Sequence, residues 1–569
     1  MSRPLRIALG DLSYLNGASS LNPQVGWDSN LYVPLNIGFL ASYAKRRFGR
    51  EVDVRLFKDP VEMLQHIRDQ RPDLIGLSAY YWNAELDRLV VRKARSIPGY
   101  TPRIVFGGPS VDSDPTEQTL FKARHAGVDL VIPNEGEAGF SSVVAAMLGG
   151  TDIHIPIGLS TDLSEVPSPY LDGTLDPFLD GPFQPLIQTS RLCPYTCAFC
   201  VSGKNRGKLR TFPLDQVREE IAYIARRFKE RPDYVLFIVD ENFGIMERDI
   251  DVARLLRQTH DTAGYPAKVF YYNDKRFTHI CRSLQEILGS LCYQGVTLSL
   301  QSENPETLKE IKRRNLTDEQ ITSAISWARG LGLRTTTELI FGLPMETRES
   351  FKALLDKCAR LGFDWILCRN LIIFDGIEMN RAGYRERLQI ETRRRLMNGN
   401  AQTIEGELCA ESEQVVVSST TFDFEDYKFF RALNTWFHAI FMNGLHRPFF
   451  ERLIERGDSL ADFVERMLSP TDGGDLAARQ HRGFLSELNA AMEAELHSEA
   501  SLARMIAEAE RGGKSLPAEI KLQPIFARKL LDNEHGWVAE IIARTETNLA
   551  VGRALSVDGK PSPMVQAMP

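Results

Sequence analysis

The chain has 569 residues, of which 43% are hydrophobic and 25% charged; 68 basic residues against 75 acidic ones leave a formal charge of −7. This length suffices for three or four domains with cores of their own. The acidic balance argues against general nucleic-acid binding, which needs a positive field for the phosphate backbone. No apolar run approaches the roughly 20 residues that cross a bilayer. The apolar stretch in MSRPLRIALGDLSY is too short for a signal peptide, so the sequence reads as a cytoplasmic protein with no membrane span.

Residues 1–149 alternate short apolar runs with amphipathic segments. Strands are expected at Leu5–Leu9, Glu51–Phe57, Asp73–Ser78, Arg103–Phe106 and Val128–Ile132. Helical patterns lie between them, as in Leu35, Phe39, Leu40, Tyr43 and Phe48. The alternation predicts an open parallel α/β sheet, Rossmann-like and of the flavodoxin-like kind. Ligands of such sheets bind outside the carboxyl ends of the strands, here Gly10–Gly17, Ser78–Asn83 and Gly107–Ser110. Residues 150–184 read as a linker, because Pro156, Pro167, Pro169, Pro177 and Pro182 interrupt any regular element.

The β/α alternation restarts at 185 and runs to 375. Strands are expected at Pro185–Ser190, Tyr234–Val239, Lys268–Tyr272, Gly295–Leu300, Arg334–Phe341 and Trp365–Ile373. Helical patterns fall near 214–230, 247–263, 279–292, 317–331 and 348–361. Six such units predict a partial parallel (β/α)6 barrel with its chemistry at the strand C-termini. Residues 376–555 are expected to form a mostly helical C-terminal domain, dense in aromatics over 422–455 and rich in Ala, Glu, Leu and Arg over 475–510. Residues 556–569, with three prolines, read as a disordered tail.

Eight cysteines are too few for a disulfide scaffold in a chain of this length. Three of them crowd into Arg191-Leu-Cys193-Pro-Tyr-Thr-Cys197-Ala-Phe-Cys200, directly after the first barrel strand. Thiolates are soft ligands suited to iron–sulfur clusters. A C-x3-C-x2-C loop binds three irons of a [4Fe–4S] cubane and leaves the fourth open to a substrate or cofactor. A zinc site completed by Cys281 or Cys292 is the alternative, although structural zinc favours two C-x2-4-C pairs. An electron-transfer cluster needs a fourth cysteine.

The segment resembles the cluster loop of the radical S-adenosylmethionine (SAM) superfamily. The resemblance covers about residues 185–375. It implies a [4Fe–4S] cluster on Cys193, Cys197 and Cys200, with SAM chelating the open iron and cleaved to a 5′-deoxyadenosyl radical. It places Phe199 beside the adenine. It assigns Asp240, Glu241 and Asn242, at the end of the second strand, to the SAM amino group. Ser299 and Gln301 would reach the ribose, and Arg313 the carboxylate. Glu338 and Gly342, in Glu338-Leu-Ile-Phe-Gly342-Leu-Pro344, look like the strand-five signature, with Gly342 allowing close approach of adenine.

Residues 1–149 resemble the cobalamin-binding domain that precedes many radical SAM barrels. Ser78, the pair Gly107-Gly108, and Glu135 in Asn134-Glu135-Gly136-Glu137 carry the likeness and would line the slot for the cobalamin tail. One departure stands out. Family members with D-x-H-x-x-G after the first strand bind cobalt through that His, whereas this loop reads Asp11-Leu-Ser13-Tyr14-Leu-Asn16-Gly17. The first His in the chain, His66, falls in a helical pattern elsewhere. Tyr14, Trp27, Tyr80, Tyr81 and Trp82 are candidates to cover a corrin, or else core.

The two resemblances together imply a cobalamin-dependent radical SAM methyltransferase acting on an unactivated carbon of a natural-product or peptide substrate. One SAM would methylate the cobalamin and a second would generate the radical. A flavodoxin or ferredoxin would supply electrons. The alternatives are a radical SAM enzyme without methyl transfer (epimerisation, rearrangement, cyclisation or aminocarboxypropyl transfer) on a cobalamin-free scaffold, and a non-enzymatic iron–sulfur sensor or interaction protein.

Overall fold

Uninterrupted apolar runs form strands buried on both faces of a parallel sheet, and Leu5–Gly10 (β1) and Leu74–Ser78 (β3) follow that rule. The structure is a computed structural model describing residues 3–15, 31–155, 161–203, 208–512, 516 and 522–556. After β1 come Leu35–Phe48 (α1), Val52–Phe57 (β2), Pro60–Gln70 (α2), then β3 and Ala84–Arg95 (α3). Arg103–Gly107 (β4), Pro115–Arg124 (α4), Leu130–Val131 (β5) and Gly136–Gly149 (α5) complete the domain. The sheet is parallel in the order β2-β1-β3-β4-β5, the flavodoxin-like arrangement with its switch point at β1/β3. Helices α1 and α5 cover one face through Ile37, Ala41, Phe140 and Val144. Helices α2, α3 and α4 cover the other through Met63, Leu89 and Phe121.

The described residues 161–184 of the proline-rich stretch are packed against the barrel. Leu163, Val166, Tyr170, Leu175 and Leu179, the last in Asp176–Leu179 (α6), join a core shared with the barrel. Tyr170 donates to the Leu186 carbonyl at 2.6 Å.

The barrel strands are Leu186–Ile187 (β6), Leu236–Phe243 (β9), Val269–Asn273 (β10), Val296–Thr297 (β11), Thr335–Phe341 (β12) and Trp365–Asn370 (β13). A short antiparallel pair, Ser190–Arg191 (β7) and Arg210–Thr211 (β8), flanks the cysteine loop. The six parallel strands form two triplets, β10-β9-β6 and β11-β12-β13. The triplets are joined where Asn273 Nδ2 donates to the Thr297 carbonyl at 3.2 Å. The outer helices are Leu214–Phe228 (α7), Arg248–Ala263 (α8), His279–Leu288 (α9), Pro305–Glu310 (α10), Asp318–Gly330 (α11) and Arg348–Leu361 (α12). Thr317 and Thr347 cap α11 and α12 with reciprocal side-chain bonds.

The C-terminal region is helical, as the sequence suggests, but it begins with a structure the sequence pattern hid. Ile372–Ile373 (β14) leads through Ala382–Arg387 (α13) into a long antiparallel hairpin, Glu391–Ile404 (β15) and Glu407–Ser418 (β16). The hairpin reaches back to the first domain. Ile404 and Cys409 enter its core, and Asn400 Nδ2 donates to the Trp82 carbonyl at 2.9 Å. Glu411 accepts from Tyr14 Oη at 2.9 Å and from the Glu85 amide at 2.8 Å.

Among the described residues the α-helices that follow are Phe424–Phe437 (α14), Arg447–Glu455 (α15), Leu460–Met467 (α16), Leu476–Ala494 (α17), Glu499–Gly512 (α18), Leu522–Asp532 (α19) and Ala539–Ser556 (α20). Tyr427, Phe430, Trp436 and Phe437 of α14 pack into the largest core, with Phe341 of the barrel and Phe351 and Leu355 of α12. Apart from Ser556, which ends α20, the expected tail lies outside the described residues. Among the described residues no helix is long and apolar enough to cross a membrane.

Candidate active site

The cysteine loop leaves the barrel at its first strand, and the strand is braced before the loop begins. Asp240 on β9 is buried, and its carboxylate accepts from the Thr189 amide at 2.6 Å, Thr189 Oγ1 at 2.5 Å and Ser190 Oγ at 2.9 Å. Burial pushes this carboxyl up to about 6 although its donors favour the anion. Both Asp240 oxygens accept from Thr189 and Ser190, so this carboxylate braces the strand that leads into the loop. Glu241 turns the other way, into the cleft below the loop. Asn242 Nδ2 donates to Cys193 Sγ at 2.8 Å.

Arg313, half-buried, lies against the Cys197 thiol, donates to the Ser299 carbonyl, and reaches Asn315 Oδ1 at 3.2 Å. Lys275 is also near Cys197 and Cys193 and sits over the Tyr195 ring at 3.7 Å. Phe199 packs on the barrel core beside the loop. Of the candidate zinc ligands, Cys281 is buried under Gly244, and Cys292 is half-buried, 3.7 Å from the Tyr271 hydroxyl. Among the described residues no three His, Cys, Asp or Glu side chains gather around a single-ion site.

The second triplet brings the next group together. Ser299 Oγ donates to Glu338 Oε2 at 3.2 Å. Gln301 adopts φ +66°, a left-handed conformation uncommon outside glycine and strained there. Its Oε1 is buried with no hydrogen-bond partner among the described residues. Gly342 also takes a left-handed conformation, φ +86°, but a side-chain carbon there would meet Phe422 and Leu371 of the protein. Its left-handed backbone forms the turn that leaves β12 towards α12.

A cavity of about 660 Å³ lies between the first domain and the barrel. Ser78, Gly107, Gly108 and Glu135 line it from the first domain, with Glu241 and Tyr272 opposite. Asn36 Nδ2 donates to Ser78 Oγ at 2.8 Å. Gly108 has φ +95°, and a side-chain carbon there would stand 3.0 Å from the Ala79 carbonyl, so only glycine fits. Asn134 Oδ1 and Glu137 Oε2 are buried with no hydrogen-bond partner among the described residues.

In the β1 loop, Asp11 faces the cavity with Lys58 Nζ 3.3 Å away, while Ser13 is sealed in the protein. His66, on α2, packs against Phe57 at the end of β2. Tyr14 is core, bonded to Glu411. Tyr80 stacks on Trp82 at 4.2 Å and Tyr81 on Phe374 at 5.0 Å. Trp27 lies outside the described residues.

Sequence reasoning missed Arg191. It sits between the cysteine loop and the first domain, donating to Glu137 Oε1 at 2.8 Å with Glu135 Oε2 3.6 Å away. Its guanidinium also lies over Phe39 and Phe212. Glu135 pairs with Arg210 through its other oxygen, so it faces two arginines across the domain junction. Burial alone would raise the Glu137 carboxyl, but the Arg191 charge and hydrogen bond outweigh it and hold it below its ordinary value. An arginine two residues before the first cysteine, and two glutamates at a helix start, were the available signals.

Residues 187–358 match the Radical SAM superfamily family model, and residues 29–144 match the B12 binding domain model. The chain therefore contains a radical SAM domain preceded by a B12-binding domain. Among similar proteins is the 2-(S-pantetheinyl)-carbapenam-3-carboxylate methyltransferase of Streptantibioticus cattleyicolor, 31% identical over 365 residues, or 58% of this chain and 51% of that protein. The cobalamin-dependent radical SAM methyltransferase TokK of Streptomyces tokunonensis is 30% identical over the same shares. The chain spans about half the length of these relatives. The solved radical SAM methyltransferase TsrM from Kitasatospora setae, with cobalamin and a [4Fe–4S] cluster bound, aligns over 67% of this chain and 74% of that one, with 16% identity and a TM-score of 0.49.

Proposed function

We propose that the chain is a cobalamin-dependent radical SAM methyltransferase that modifies an unactivated carbon of a small natural-product or peptide substrate. One observation carries the reading. The strand ends that resemble a cobalamin slot and the strand ends beside the C-x3-C-x2-C loop open onto the same cavity. A methyl carrier and a radical source would then face one substrate. The kinship with a carbapenam-3-carboxylate methyltransferase supports the natural-product class.

Cys193, Cys197 and Cys200 would hold the cluster. The Asn242 amide and the Arg313 and Lys275 cations beside the thiols supply the dipole and charge that a set of thiolates requires. Gln301 Oε1, buried and unpaired, suits a donor on SAM, and Glu338 and Ser299 stand next to it. Asn134 and Glu137 offer buried acceptors for the amide N–H groups of cobalamin, and Gly108 leaves room for it. When bound, the cluster with SAM supplies a hydrogen-abstracting radical and cobalamin supplies the methyl group. The protein's part is to fix distance and exclude water. Asp240 anchors the loop, Arg191 ties it to the first domain, and Tyr80, Tyr81 and Trp82 wall the cleft.

The test is anaerobic reconstitution with iron, sulfide and cobalamin, followed by incubation with SAM, a reductant and candidate substrates. Methylation yields 5′-deoxyadenosine, S-adenosylhomocysteine and a product heavier by one CH2. Formation of 5′-deoxyadenosine with a product of unchanged mass would replace this reading with a radical isomerisation or epimerisation.

A further inference from the structure

On its outer side the cysteine loop borders a second hollow, an open groove of about 920 Å³. Its wall is Pro194-Tyr195-Thr196, the segment between the first two cysteines, so it is the solvent-facing surface next to the proposed cluster. The inner cavity touches the loop at Leu192 instead. A partner in the groove would therefore leave the cobalamin and substrate side open.

The groove is basic in a chain of net charge −7. Lys275, Arg276, His279, Arg282, Lys312 and Arg314 line it, and among its described lining residues Glu319 is the one carboxylate. Arg276, His279 and Lys312 have acidic neighbours in Asp274, Glu247 and Glu378. Arg282 instead bonds to Ser323 Oγ at 3.0 Å and lies over Trp327, and Arg314 is exposed. Two lining residues hold left-handed backbone without being glycine: Phe277 at φ +43° and Lys312 at φ +57°. Such strain persists where the surrounding structure fixes it and clusters at functional surfaces.

We propose that this groove docks the electron donor, an acidic one-electron carrier protein of the flavodoxin type, against the cluster loop. The inference rests on the cluster reading above and adds the partner surface. A basic patch on an otherwise acidic protein steers an acidic partner to one face and orients it there. Tyr195 fixes the floor of the dock, donating to Asp274 Oδ1 at 2.5 Å beneath the Lys275 ammonium. In the docked pair one electron leaves the donor and enters the cluster; no atom or proton is transferred.

The experiment measures binding first, so that it does not depend on cluster or SAM chemistry. Fluorescently labelled oxidised flavodoxin is titrated with the full-length protein, as isolated, at about 50 and about 300 mM NaCl, concentrations that span the screening range. The wild type should bind, with Kd weakening roughly tenfold at the higher salt. R282E/R314E should weaken binding at low salt by roughly tenfold or more, with R314E alone showing part of that loss and R282K/R314K retaining affinity. Reconstituted protein then gives a second readout. Cluster reduction by reduced flavodoxin should slow in R282E/R314E while reduction by dithionite is unchanged. Equal flavodoxin affinity in wild type and R282E/R314E, or an equal loss of the dithionite rate, overturns the dock. Loss of 5′-deoxyadenosine formation with binding intact counts against the proposed function and leaves the dock standing.

Discussion

Replacing Arg191 by Met tests whether the loop and the first domain are coupled as the geometry indicates. The guanidinium is nearly buried, bonded to Glu137 and lying beside the stacked rings of Phe39 and Phe212. Met keeps an apolar side chain beside the rings and removes the charge with its hydrogen bonds. Glu137, itself buried, then loses its partner, and breaking a buried pair in this way costs about 3–5 kcal/mol. Removing both charges in R191M/E137M leaves no orphaned carboxylate and should cost under about 2 kcal/mol, well below the sum of the losses in R191M and in E137M measured singly. The assay is urea unfolding of the apo-protein. The wild type has a second signature. Because the folded Glu137 pKa lies below its unfolded value, its contribution is present above about pH 4.3 and is lost as pH falls further. R191M should lack that acid-side loss. A single-variant cost below about 1 kcal/mol, or additivity in the double variant, would refute the coupling.

Glu411 gives the opposite pH sign. Burial chiefly, with the Glu85 charge, pushes its carboxyl up to about 8. Its contribution to hairpin docking is therefore complete below the unfolded pKa and is lost as pH rises towards 8, at up to about 1.4 kcal/mol per pH unit. Glu411→Gln should raise the melting temperature at alkaline pH and leave it unchanged near pH 4; an equal shift at both would contradict this. Replacing Cys193, Cys197 and Cys200 together by Ala should abolish the absorption near about 400 nm of the reconstituted protein; a surviving band would move the cluster elsewhere. Gln301→Ala should weaken SAM binding by about 1–2 kcal/mol, roughly tenfold, with iron content unchanged. Unaltered affinity removes Gln301 from the site.

The strands and helices of the first two domains were legible because each carries its own period. Continuous apolar runs mark strands such as Leu74–Ser78, and one-sided stripes mark helices such as Leu214–Phe228. The hairpin was not. Its first strand is arginine-rich, its register shifts between Leu396 and Ala401 around Asn398-Gly399-Asn400, and it lies between domains, so no simple alternation survives. The Glu405-Gly406 turn, both residues at positive φ, and the run Val415–Val417 were its local signals. The cysteine loop was legible from spacing alone. The roles of Asp240 and Arg191 were not, since their partners lie 51 and 54 residues away. Spacing shows which types of residue reach a strand end; it does not show which of them are already bonded.

The central claim is a [4Fe–4S] cluster on three thiolates with one iron left for SAM. Mössbauer spectra of iron-57-reconstituted protein, recorded with and without SAM, address it directly. The account predicts that one iron in four changes its isomer shift when SAM is added, while the other three do not. Four equivalent irons indifferent to SAM would contradict it.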